Sequence, residues 1–229
     1  MRDEDFNWFI KKFGEPTSTE PVPVISLEKW RGVLPDVLLS YWENEGWASW
    51  QNGLISLVDP EYYNDILDSW LEGTPFEEED SYHVFARGAF GILYAFGILY
   101  AFGILYAFGI LYAFGVHTGR NLTILCYAGK IIVSVREKVK KSQEDLMWDI
   151  KSFFGAARIV DFDLVDIHGN YLFKQAVSLY GVLERGEIFG FEPAIFLGGK
   201  IDINNVRKLD AQIHLSILRE MTEPDIYEI

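Results

Sequence analysis

From Ala89 to Gly115 the sequence Ala-Phe-Gly-Ile-Leu-Tyr runs four times without a change and starts a fifth time with Ala-Phe-Gly. Units of a slowly evolved solenoid drift at every position that does not pack, so an error-free array reads as a recent tandem duplication in the gene. Copies can be gained or lost six codons at a time without shifting the frame, which predicts a copy number that varies between cells. Six is also even. In an extended strand each copy therefore puts Phe, Ile and Tyr on one face and Ala, Gly and Leu on the other, and an added copy keeps the alternation. In an α-helix six residues turn roughly 600°, and successive copies leave no stable stripe. A strand is expected. Two rival readings exist. Gly88 to Val116 has no charged residue, long enough for a membrane helix, although the regular glycines and the flanking Arg87 and Arg120 argue against one. The run is also β-prone and free of proline, as a steric zipper would be. Fully extended, the array would span roughly 90 Å, far more than a domain of this size allows. It must fold back, protrude or pair with another chain.

The rest of the 229 residues, 49% hydrophobic and 24% charged overall, is ordinary globular material with enough bulk for a good core. Cys126 is the only cysteine, which excludes an intrachain disulfide and a thiolate metal centre. The opening Met1-Arg2-Asp3-Glu4-Asp5 lacks an apolar signal region, so the cytoplasm is the expected location. The net charge of −14 is uneven: residues 1–88 hold 18 acids and 6 bases, residues 116–229 hold 16 acids and 14 bases. A negative N-terminal half repels nucleic acid and membrane surfaces and speeds association with basic partners.

Along the chain, Phe6, Phe9, Ile10 and Phe13 space as an amphipathic helix ended by Gly14. Ser26 is placed to cap a second helix, and Pro35-Asp36 opens a third that ends near Glu45-Gly46. Trp47 to Gly53 reads as a turn before a strand Leu54 to Val58. Asp59-Pro60 starts a fourth helix stopped by Gly73, and Glu77-Glu78-Glu79-Asp80 is a solvated acidic loop before a strand from Tyr82. Leu122 to Tyr127 and Lys130 to Arg136 make a hairpin. Helices follow over Ser142 to Phe154, Asn170 to Leu183 and Asn204 to Met221, and an acidic tail is expected to fray. Helices, then strands, then helices predict an α+β fold with an antiparallel sheet flanked by helices, the repeat extending a strand or hairpin. Residues 1–88, the array 89–115 and residues 116–229 are read as parts of one interrupted domain.

Several phrases occur together in order: Phe9 to Gly14, Leu34-Pro35 with Tyr41-Trp42 and Glu45-Gly46-Trp47, Asn52-Gly53-Leu54, Asp59-Pro60, and Ala86-Arg87-Gly88-Ala89-Phe90-Gly91. With them the chain resembles the first part of the GAD-like domain family. Glu187, Gly190-Phe191-Glu192-Pro193-Ala194 and Leu197-Gly198-Gly199 are similar to its C-terminal part. The resemblance implies an immunity protein of a type VI secretion DNase toxin, a cytoplasmic inhibitor that binds its own toxin and is not an enzyme. The array departs from the family pattern. Removing Ala95 to Tyr112 would leave a family-like 211 residues, and the insertion falls within what should be the sheet.

The residues themselves agree with a basic nuclease as partner, because a protein that grips phosphates carries a positive surface. Six of the seven tryptophans lie in the acidic half, where aromatic anchors among charges suit an interface. Trp8, Trp30, Trp42 and Trp70 have helix-core spacing, which leaves Trp47 and Trp50, placed in a turn, with Glu77, Glu78, Glu79 and Asp80 as the expected partner-binding set. Self-association through exposed repeat strands is the alternative reading. Asp161, Asp163, Asp166 and His168 interleave with apolar residues and read as the polar side of a strand or turn rather than a metal site. No cofactor, metal or catalytic constellation is expected, and Arg87 and Glu187 read as a pair supporting the fold.

Overall fold

The computed structural model describes residues 2–78, 81–94, 113–115, 121–133 and 143–228. Within them lie seven helices and twelve strands in an α+β arrangement. The chain opens with α1 (Glu4–Phe13), β1 (Ser18–Glu20), α2 (Val24–Trp30), α3 (Asp36–Glu45), β2 (Trp47–Trp50), β3 (Ile55–Leu57) and α4 (Pro60–Leu71). Then come β4 (Tyr82–His83), β5 (Ala86–Gly88), β6 (Ile92–Tyr94), β7 (Ala113–Gly115), β8 (Asn121–Leu125) and β9 (Lys130–Val133). The C-terminal part holds α5 (Gln143–Ala156), α6 (Phe173–Tyr180), β10 (Glu187–Phe191), β11 (Val206–Asp210), α7 (Ala211–Met221) and β12 (Asp225–Glu228).

Local chemistry sets the helix ends. The Asp3 carboxylate accepts the Phe6 N–H at the start of α1, and Asp59 accepts the Glu61 N–H at the start of α4 with Pro60 in the first turn. At the far end of α4, Arg219 donates through Nε to the Ser69 carbonyl and through Nη2 to the Glu72 carbonyl, both at 2.8 Å. These bonds satisfy carbonyls that the helix cannot. The apolar face of α1 puts Phe6 and Phe9 against Trp50 and Phe154, with centroids 4.9–6.0 Å apart. The Trp70 indole donates to the Leu215 carbonyl, tying α4 to α7.

The main sheet runs β1-β2-β3-β5-β6-β8-β7-β4, with β9 on the other edge of β8. All these pairs are antiparallel; β12 adds to β9 in parallel, so the tail expected to fray is a strand. A separate two-stranded ribbon joins β10 to β11. Residues 206–210, expected within the last helix, are thus extended, and the helix begins at Asp210, whose carboxylate accepts the Ile213 N–H. The second helix also starts earlier than expected, from Pro23, with Ser26 buried inside it.

The ends of the array meet on β8. Ile92, Leu93 and Tyr94 lie opposite Leu125, Ile124 and Thr123. Ala113 and Phe114 lie opposite Leu122 and Asn121. On the ladder Ala113 therefore follows Tyr94 directly, in the place residue 95 would take in an uninterrupted strand. The offset of 18 residues, 113 − 95, is three whole repeat units. β5 and β4 flank β6 and β7 on their other side. Gly91, at φ +69°, closes the three-residue turn from β5 into β6; a Cβ there would sit 2.9 Å from Leu215 Cδ2 as well as in the left-handed region. Residues 95–112 lie outside the described residues. No described helix is long and apolar enough to cross a membrane.

Candidate functional site

Two features stand out around α4. Its inner side buries Tyr63, Ile66, Leu67 and Trp70. Its outer side exposes Glu61, Asp65, Asp68 and Glu72, spaced to form one ridge along the helix. Glu77 and Glu78, also exposed, follow beyond Gly73. Lys29 pairs with Glu61 at one end of this ridge. Burial and then the neighbouring charge of Asp65 push the Asp68 carboxyl up from its ordinary range, as expected where like charges crowd.

The second feature is a cleft of about 330 Å³ at the N-terminal end of α4. Residues 17–20, the β2 and β3 strands and the start of α4 form one wall, and residues 182–186 close it from the C-terminal part. The fold brings these distant segments together through backbone bonds: Leu183 N–H to the Asn52 carbonyl at 3.4 Å and Ala211 N–H to the Gly186 carbonyl at 2.7 Å. Arg87, on β5, lines the cleft and is only 3% exposed. Its Nη2 donates to the Glu184 carbonyl at 3.0 Å, while Nη1 has no partner among the described residues. Ser56 Oγ donates to Ser49 Oγ at 2.9 Å beside it. Burial pushes the Tyr63 phenol up to about 12, so it stays protonated. At the mouth, the Arg185 guanidinium lies 5.0 Å above the Trp47 ring and pairs with Glu20. Arg87 and Glu187 do not pair directly. Glu187 is held by Lys208 at 2.7 Å and by the Glu184 N–H at 2.8 Å. Those contacts, helped by the more distant charge of Arg87, outweigh burial and keep its carboxyl below its ordinary range.

The expected partner-binding residues divide. Trp47 and Trp50 are not in an exposed turn: they bracket the inner strand β2, with 9% and 0% exposure. The turn comes later, where Gln51 and Asn52 take φ of 53° and 63°. That conformation, which Asn tolerates, reverses the chain so that Trp50 pairs with Ile55. Burying both indoles in the sheet's core outweighs any turn tendency of the flanking residues. Trp47 still reaches the cleft wall; Trp50 does not. Glu77 and Glu78 are exposed, Glu77 accepting the Gly73 N–H at 2.8 Å. Glu79 and Asp80 lie outside the described residues. Trp8, assigned to the core by spacing, is 49% exposed under Lys11, and Trp148 is 60% exposed on α5.

Asp161, Asp163, Asp166 and His168 do not converge. Asp161 pairs with Arg158, Asp163 accepts the Leu164 and Phe173 N–H groups, and Asp166 accepts from His168 N–H and Asn170. Arg185, Thr17 and the 182–186 segment carried no local signal in the sequence. Gly186 stands there at φ +81°, with the Tyr62 hydroxyl 2.7 Å from where a Cβ would stand.

Comparison with known proteins places the chain. A GAD-like domain matches residues 4–105, and the C-terminal domain of the type VI secretion immunity protein Tdi1 matches residues 149–222. No curated protein matches. The crystal structure of Atu4351 from Agrobacterium tumefaciens superposes with a TM-score of 0.75 at 19% identity, covering 97% of this chain and 92% of that one. At that identity the likeness establishes the fold. The two family matches, in chain order, the first running into the array and the second following it, make the chain a member of the GAD-like, Tdi1-type family of type VI secretion immunity proteins.

Proposed function

We propose that the protein neutralises a cognate basic nuclease toxin by binding it through the acidic ridge of α4 and the acidic segment that follows, covering the active site or the DNA-binding groove. The observation that carries this reading is the ridge itself: Glu61, Asp65, Asp68 and Glu72 on one exposed helix face, continued by Glu77 and Glu78. A nuclease must present positive charge to phosphates, and a continuous negative surface both steers it in and competes for the same groups. The inhibition is steric and electrostatic and uses no chemistry.

The array enters this reading as a length-variable insert. Because its two ends occupy consecutive positions on β8, gain or loss of whole six-residue units keeps the strand in register. Copy number then tunes or switches immunity.

The test is rescue. Bacteria expressing the nuclease encoded beside this gene receive the full chain, a chain lacking Ala95 to Tyr112, or a chain with Asp65→Lys, Asp68→Lys and Glu72→Lys. Survival with the first or second chain and its loss with the third is the expected outcome. Undiminished protection by the charge-reversed chain overturns the ridge as the interface, and failure of every soluble chain overturns the nuclease-immunity reading. Light scattering on the same preparations tests self-association through the repeat, which a monodisperse monomer dismisses.

A further inference from the structure

The cleft around Arg87 is incomplete as it stands. A guanidinium withdrawn from water carries a large desolvation cost unless its charge is paired and its N–H groups are bonded. Arg87 has one backbone carbonyl, on Glu184, and a nitrogen with no partner among the described residues. Glu187, whose charge is felt by Arg87, is committed to Lys208 and to the Glu184 N–H. Around the guanidinium stand neutral hydrogen-bonding groups, the Ser49–Ser56 hydroxyl pair and the Tyr63 phenol, and at the mouth a second arginine, Arg185. The lining also holds Glu20, Asp59 and Glu184, but Glu20 is taken by Arg185 and Asp59 by the Glu61 N–H, and among the described residues no carboxylate bonds the Arg87 guanidinium. Trp47, Tyr62 and Leu183 give it apolar surface beside the polar Thr17, Thr19 and Asn52. Its volume, about 330 Å³, falls at the small end of the range for metabolite pockets.

We propose that this cleft binds a small organic anion whose carboxylate or phosphate head completes the bonding of Arg87, with Arg185 closing over the mouth and the body of the ligand against Trp47 and Leu183. A planar fork of N–H donors suits either head group. The site is separate from the acidic ridge, and the inference does not depend on the nuclease reading.

The experiment uses the full chain, with sodium succinate and sodium phosphate as probes against sodium chloride at equal ionic strength, read by thermal unfolding and tryptophan fluorescence. One probe or both should raise Tm saturably, by about 3 °C or more at saturation, and change the emission of Trp47. The stronger probe identifies the head group. Arg87→Met should abolish that response while leaving Tm in chloride unchanged or higher, because it removes an unpaired buried charge. Arg185→Gln, at an exposed position, should weaken the apparent Kd roughly tenfold, the loss of one charged contact. Neither probe exceeding chloride, or a response that persists in Arg87→Met, overturns the site. If Arg87→Met does not fold, Arg87→Lys takes its place: a response unchanged in both Arg87→Lys and Arg185→Gln overturns the inference equally.

Discussion

The outer face of α4 and the floor of the cleft at its N-terminal end treat charge in opposite ways. On the ridge, four carboxylates face solvent, where a charge costs little and a single ion pair adds little. On the floor, one guanidinium is sealed under 3% exposure, where every missing bond counts. Surface charge in this protein acts at a distance, on whatever approaches. Buried charge acts on the fold or on a ligand that fits. Asp163 offers a third case: a carboxylate 6% exposed whose partners are the backbone N–H groups of Leu164 and Phe173, both at 2.8 Å.

Changes at these places should therefore differ in kind. The largest stability loss is expected for Asp163→Ala, about 1–3 kcal/mol, since it strands two buried N–H groups; urea unfolding measures it, and a loss under 0.5 kcal/mol would place Asp163 with the surface charges. Next in size is removal of Ala95 to Tyr112, which takes out the 18 residues between two adjacent ladder positions and should raise stability by no more than about 2 kcal/mol. A fall in stability, or lost amide protection in β8, would show that the insert supports the sheet.

Asp163 also carries a pH signature. Burial, set against its backbone hydrogen bonds, pushes its carboxyl from 3.8 to about 6. Between those values the folded protein binds more protons than the unfolded chain, so this group's contribution is complete below pH 3.8 and is lost as pH rises to about 6. Asp163→Asn should flatten that slope, and an identical profile in the variant would assign the slope elsewhere. The smallest stability effect belongs to the ridge. Asp65→Lys, Asp68→Lys and Glu72→Lys together should move unfolding by no more than about 1 kcal/mol while slowing association with a basic nuclease tenfold or more at low salt. Stopped-flow binding at two ionic strengths separates the two, and a rate that ignores salt would remove the ridge from the encounter.

Much of the ridge was legible in the sequence, because it rests on local signals. Asp59-Pro60 and Gly73 bounded α4, and the apolar spacing of Ile66, Leu67 and Trp70 assigned its inner side; the acids on the other side follow. α3 and the β8–β9 hairpin were equally plain. What failed were judgements that depend on partners far along the chain. Trp47 and Trp50 sit among turn-like residues but are drawn into the sheet by β1, β3 and α1. Residues 206–210 look helical until β10 pairs with them, and the tail becomes a strand only because β9 has a free edge. Arg87 belongs to a short motif, yet its importance comes from residues 182–186, almost a hundred positions away, which close the cleft over it.

The meeting of the array's two ends on β8 makes its copies synonymous. The tripeptide at Ala113–Gly115 that faces Asn121 and Leu122 is written again at 95–97, 101–103 and 107–109. Each copy carries the same residues in the same order, so their chemistry alone gives β8 no means of telling them apart. An isotope label confined to one copy would then report a mixture, while a label on β8 reports a single strand. A sheet ordinarily derives its uniqueness from the uniqueness of its sequence; at this ladder the sequence supplies several identical candidates for one position.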